Sequence, residues 1–185
     1  MLSAEDQEHS VLSPQSSLLI ALMRILGIDP GIAQTGFGLI DETEGQLRLV
    51  TYGVIQTEAN TPIPRRLQQI YQELTGVIET YGPQAAAIEE LYFGRNVTSA
   101  IKVGQALGVI LLAMANANLN VVRYSPPKIK ETVTGYGNAD KAQVQLMVRH
   151  TLDLEETPHP DHAADSLAVA ITHAHYQHFA SLTNE

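Results

Sequence analysis

Cysteine is absent from the 185 residues, so neither a disulfide framework nor a thiolate zinc site can be built. That fits a reducing compartment, and the cytoplasm is the expected location. Positive charge is scarce: 11 Lys and Arg stand against 20 Asp and Glu, a formal net charge of −9. Such a balance argues against a generic nucleic-acid binder, because phosphate contact relies on Lys and Arg. The apolar stretch from Leu18 to Met23 is broken by Arg24, well short of the roughly 20 residues of a membrane helix. It also lacks a basic segment ahead of it, so neither a secretory signal nor a membrane partner is expected.

What is present bounds one domain. With 44% hydrophobic residues, the chain is long enough for a well-buried core and too short for two ordinary ones. Residues 1–22 carry Glu5, Asp6 and Glu8 with no Lys or Arg and include a Ser- and Gln-rich run, the composition of a solvated arm. Met23 stands directly before the first strand as an alternative start, which would leave that arm untranslated. The expected division is an arm over 1–22, one domain over 23–178 and a tail over 179–185.

Charge is unevenly spread. From Arg95 to Arg149 there are seven basic residues against Glu131 and Asp140, while the remainder holds four basic and 18 acidic residues. This is either a set of solvated faces or a phosphate-binding track.

The segment Arg24-Ile25-Leu26-Gly27-Ile28-Asp29 reads as a buried strand ending in an acid, stopped at once by Pro30-Gly31. Two further strands, Gly36 to Asp41 and Leu47 to Ile55, follow across short connections and must run antiparallel. Leu67, Ile70, Tyr71, Leu74, Val77 and Ile78 repeat at three and four, the period of an amphipathic helix closing near Gly82-Pro83. Ala85 to Glu90 is a short buried strand that again ends in acid, and the intervening helix lets it lie parallel to the first. Asn96 to Asn116 predicts a long helix apolar around most of its circumference, expected to be largely buried. Its Gly104 and Gly108 form a small-residue stripe, suited either to packing within the chain or to close approach by a second subunit.

Asn120 to Tyr124 is a last strand. Ser125-Pro126-Pro127 opens a helix, and Asp140 caps another. The final helix starts at Pro160, with Asp161 expected as its N-cap and His162 and Asp165 sharing one face. His173, His175 and His178 are placed on its exit and are expected to be solvated. The sum is an α/β fold with a mixed five-stranded sheet flanked by helices.

Asp29 and Glu89, at the ends of neighbouring parallel strands, should emerge at one sheet edge. Asp165 and His162 would add a third carboxylate and an imidazole. Carboxylates this close cannot all ionise without a cation, and an oxygen-rich donor set suits Mg²⁺ or Mn²⁺. Two such ions about 3.5–4 Å apart are the recurring device for in-line attack of water on a phosphodiester.

Five motifs, Gly27-Ile28-Asp29-Pro30-Gly31 with Thr35-Gly36-Phe37-Gly38, Ala87-Ile88-Glu89-Glu90, Ser99 to Ala106, Gly137 to Val144 and Asp161 to Ala168, closely resemble the RuvC family of Holliday junction resolvases. The resemblance implies an RNase H-like fold, a homodimer and paired symmetric nicking of four-way junction DNA with two Mg²⁺ per subunit, Mn²⁺ being an alternative. It implies work beside a branch-migration motor in recombination and repair. It places Asp29, Glu89 and Asp165 on the catalytic, metal-binding carboxylates. His162 falls where many relatives carry a fourth carboxylate and some carry histidine; imidazole ligates Mg²⁺ poorly, so either Mn²⁺ is taken or the ring handles a proton. Lys130 and Lys141, with neighbouring Lys128, fall on the DNA-contacting segment. Tyr92 or Phe93 falls where the family presents an aromatic to the bases, for which stacking is suitable chemistry.

The same Gly-Ile-Asp-Pro-Gly opening also resembles the phosphate-binding start of actin-like ATPases and sugar kinases, although a second Asp-Gly phosphate loop is missing. A non-catalytic junction-binding protein is the third alternative.

Overall fold

The computed structural model describes residues 22–91 and 97–183. Its centre is β1 (Met23–Asp29), whose Ile25, Leu26 and Ile28 are fully buried. β2 (Gln34–Thr43) and β3 (Gln46–Gln56) continue as an antiparallel meander. α1 (Ile63–Tyr81) then crosses over to β4 (Ala85–Glu89), which pairs parallel with β1. Gly82, at φ 56°, takes the left-handed position that ends α1 and donates its N–H to the Ile78 carbonyl.

After α2 (Val97–Asn116) comes the edge strand β5 (Val121–Tyr124), parallel to β4. The sheet order is β3-β2-β1-β4-β5, the expected mixed five-stranded arrangement. α3 (Pro126–Thr134), α4 (Lys141–Thr151) and α5 (Asp161–Thr183) complete the chain. Asp140 caps α4 through a full capping box with Gln143, each bond 2.9 Å.

Two cores lie on opposite faces of the sheet. One joins Leu26, Ile28 and Ile88 to Ile70 and Leu74 of α1 and Ile110 and Met114 of α2. The other joins Ile25, Ile40 and Ala87 to Leu167, Val169 and Ile171 of α5 and to Val144 and Val148 of α4.

Three sequence expectations are corrected. α2 is not largely buried: Ala106, Ile110, Ala113 and Met114 face the core, while Ile101 is 58% and Leu112 53% exposed. Residues 98–116 are long and apolar enough to cross a membrane, but the buried face docks on α1 and the sheet and makes α2 a layer of the domain. His173, His175 and His178 lie within α5, and His173 is 2% exposed. Asp161 is the first residue of α5 rather than its cap; the Ala163 N–H bonds the Pro160 carbonyl instead. The helix itself continues through residue 178 to Thr183.

Candidate functional site

Asp29 ends β1 and Glu89 ends β4. With Ile28 opposite Ile88 in the parallel ladder, the next residues leave the sheet side by side at one edge. The turn that follows Asp29 is tied down from two directions. Thr35 donates its hydroxyl to the Gly31 carbonyl at 2.6 Å, and the buried Arg66 guanidinium donates to the Ile32 carbonyl at 3.1 Å and to the Thr57 hydroxyl at 2.7 Å. A strand tip held this way presents Asp29 in one position.

α5 supplies the other two side chains, and glycines decide how near it comes. A Cβ on Gly36 of β2 would stand 2.6 Å from the His162 carbonyl carbon, and one on Gly27 of β1 would stand 2.6 Å from the Ala170 nitrogen. Real side chains do not tolerate such distances, so glycine at both positions lets the helix backbone rest directly on the strands. His162 Nδ1 consequently reaches Asp29 Oδ2 at 2.6 Å. A ring that donates through Nδ1 presents Nε2 for ligation or proton transfer. Asp29, His162 and Asp165 each bring one ligand atom within 4.8 Å of the others.

Glu89 is not one of these three, but it shares their electrostatic surroundings. Burial, reinforced by the charges of Asp29 and Asp165, pushes Glu89 up to about 7, against the pull of Lys130 and Lys141. Burial likewise raises Asp165, opposed by Lys141, which donates to it at 3.0 Å. The hydrogen bond to Asp29 raises the His162 imidazole, with burial acting the other way. Acids that oppose one another's ionisation and offer only oxygen and one nitrogen form a donor set for a hard divalent cation.

Residues 25–173 match the family described as crossover junction endodeoxyribonuclease RuvC. The chain belongs to the RuvC family. A relative of that name from Brevibacillus brevis is 52% identical over 161 residues, covering 87% of this chain and 97% of its own. One from Treponema pallidum is 49% identical over 164 residues, covering 89% and 83%. A solved structure of Thermus thermophilus RuvC in complex with Holliday junction substrate superposes with a TM-score of 0.81 at 39% identity, covering 85% of this chain and 96% of that one. The fold is therefore that of an RNase H-like resolvase, and the ATPase and kinase alternative falls away.

Around this cluster the predicted lysines separate. Lys130 and Lys141 line a cleft of about 240 Å³ together with Glu89 and Asp165. Lys128 is not among its residues; it pairs with Glu131 at 3.2 Å and holds its ammonium 5.2 Å above the Tyr176 ring. Tyr92 and Phe93 lie outside the described residues. Two contacts beside the cluster were not foreseen. Lys141 also pairs with Asp161 at 3.2 Å, and Gln145 donates to the other Asp161 oxygen at 3.0 Å. Gln145 follows Lys141 by four residues and shares its helix face, a spacing visible in the sequence; that this face meets the start of α5 is a tertiary fact.

Proposed function

We propose that Asp29, Glu89, His162 and Asp165 form the divalent-metal centre with which this crossover junction endodeoxyribonuclease nicks four-way DNA junctions in recombination and repair. The observation that carries the assignment is the meeting of three ligand atoms within 4.8 Å at the sheet edge, with Glu89, at the end of the neighbouring strand, lining one cleft with Asp165. Asp29, Asp165 and His162 would hold the first ion, and Glu89, once deprotonated, would complete the site. Bound Mg²⁺ or Mn²⁺, two per subunit, would supply positive charge against the phosphodiester and activate the attacking water. Asp29 orients the imidazole through Nδ1, so that Nε2 either ligates the ion or, where it does not, takes or returns a proton. Lys130 and Lys141 at the cleft supply phosphate contacts that the net charge of −9 does not. Tyr92 or Phe93 is assigned to base contact at the crossover, and Lys128, set apart from the cleft, to an outer phosphate contact.

A homodimer is supported by α2. Its exposed Ile101 and Leu112 flank Gly104 and Gly108, where an added Cβ would meet nothing within 4 Å, so packing within the described chain does not account for the stripe. Leu112→Glu is expected to shift the protein from dimer to monomer by light scattering. A cytoplasmic location and a branch-migration motor as partner rest on composition and on the family respectively.

The test is incubation of the purified protein with a synthetic four-way junction or a matched linear duplex, with and without Mg²⁺ or Mn²⁺. Symmetric nicks confined to the junction and dependent on the ion are expected. A metal-independent gel shift without nicks would support a binding protein instead.

A further inference from the structure

Lys141 is a cation already seated on the acid cluster. Its ammonium lies 3.0 Å from Asp165 and 3.2 Å from Asp161, which are one helical turn apart on α5 and so flank it from two sides. Asp161 is not one of the three residues whose ligand atoms converge. Both its oxygens are engaged, one by Lys141 and one by Gln145. The partners themselves are pinned, because the capping box at Asp140 and Gln143 fixes the turn of α4 that carries Lys141.

A divalent ion and Lys141 both need Asp165. With Asp165 as its only ion-paired partner, the lysine would oppose the ion directly, and on losing the contest would be left with Glu89 of the same cleft, a carboxylate the metal centre also needs. Asp161 changes that balance by offering a second carboxylate adjacent to the first. Resting on the metal-centred reading above, we infer that Asp161 is a positioning residue, a carboxylate that retains Lys141 when a divalent ion takes Asp165 and so keeps the ammonium at the cleft mouth where phosphate arrives. Gln145, bonded to the far oxygen, keeps the Asp161 carboxylate turned toward the lysine.

The test is Mn²⁺ affinity of the full chain without DNA, followed by electron paramagnetic resonance, for wild type, Asp161→Asn, Lys141→Met and the double variant. Asp161→Asn should weaken Mn²⁺ binding about twofold to fivefold, the size of an exposed ion-pair interaction. In the Lys141→Met background the same substitution should weaken it clearly less. Affinity unchanged by Asp161→Asn, or a loss as large without Lys141 as with it, would overturn the inference, since the second result describes a distant charge rather than a contact. Wild type failing to bind Mn²⁺ would overturn the metal-centred reading and this inference with it, whereas normal wild-type binding with an unaffected Asp161→Asn would overturn this inference alone.

Discussion

His162 and His173 sit on the same helix eleven residues apart, about three turns, and therefore on nearly the same face. Their surroundings could hardly differ more. His162 is 40% exposed at the helix start, where the bond to Asp29 favours its charged form. His173 is 2% exposed, and burial lowers its affinity for a proton. Its Nδ1 meets the Tyr124 hydroxyl at 3.0 Å, while Tyr124 stacks on Tyr176 with ring centroids 5.4 Å apart. One imidazole belongs to a group of acids held in competition, the other to a neutral, satisfied pair inside the core. The helix supplies position; the strand end beneath each ring decides whether the residue does chemistry or packing.

This contrast is broken most forcefully at the exposed ring. His162→Ala should slow junction nicking at least about a hundredfold, the scale of a lost proton-transfer group, with little change in melting temperature. A nicking rate near wild type would reduce His162 to a bystander. The buried ring should behave in the opposite way. His173→Ala removes a core side chain and strands the Tyr124 hydroxyl, so a stability loss of about 2–4 kcal/mol in denaturant melts is expected, with nicking retained at temperatures where the variant is folded.

The smallest effect lies in pH. His173 resists protonation when folded and accepts a proton near 6.5 when unfolded, so the unfolded chain binds more protons below that value. Its contribution to stability is present above pH 6.5 and is lost as pH falls further. Melts of His173→Gln between pH 5 and 8 should show a shallower acid-side decline than wild type. An equal slope would mean that the ring titrates freely in the folded protein.

Much of this arrangement was legible in the chain. The apolar run ending at Asp29, the short connections of the meander and the helix before Ala85 are local patterns, and together they dictate which two acids share an edge. What remained hidden depends on partners distant in sequence. Asp161 follows a proline as a cap residue would, yet its side chain turns to Lys141 and Gln145, a choice made only when α4 meets α5. α2 is apolar on most sides, and hydropathy does not distinguish the face taken by its own sheet from the face left exposed. The close approach of α5 was hidden too, because only the folded chain brings Gly27 and Gly36 beneath that helix. His173 falls beyond the end foreseen for that helix, so its burial was missed.

The central claim, that the sheet-edge acids perform the hydrolysis, is tested most directly with Asp29→Asn. Nicking and binding of a four-way junction would be measured side by side in Mg²⁺ and in Mn²⁺. Junction binding at wild-type strength with nicking abolished in both ions is the predicted result. Near-native cleavage by Asp29→Asn would contradict the account.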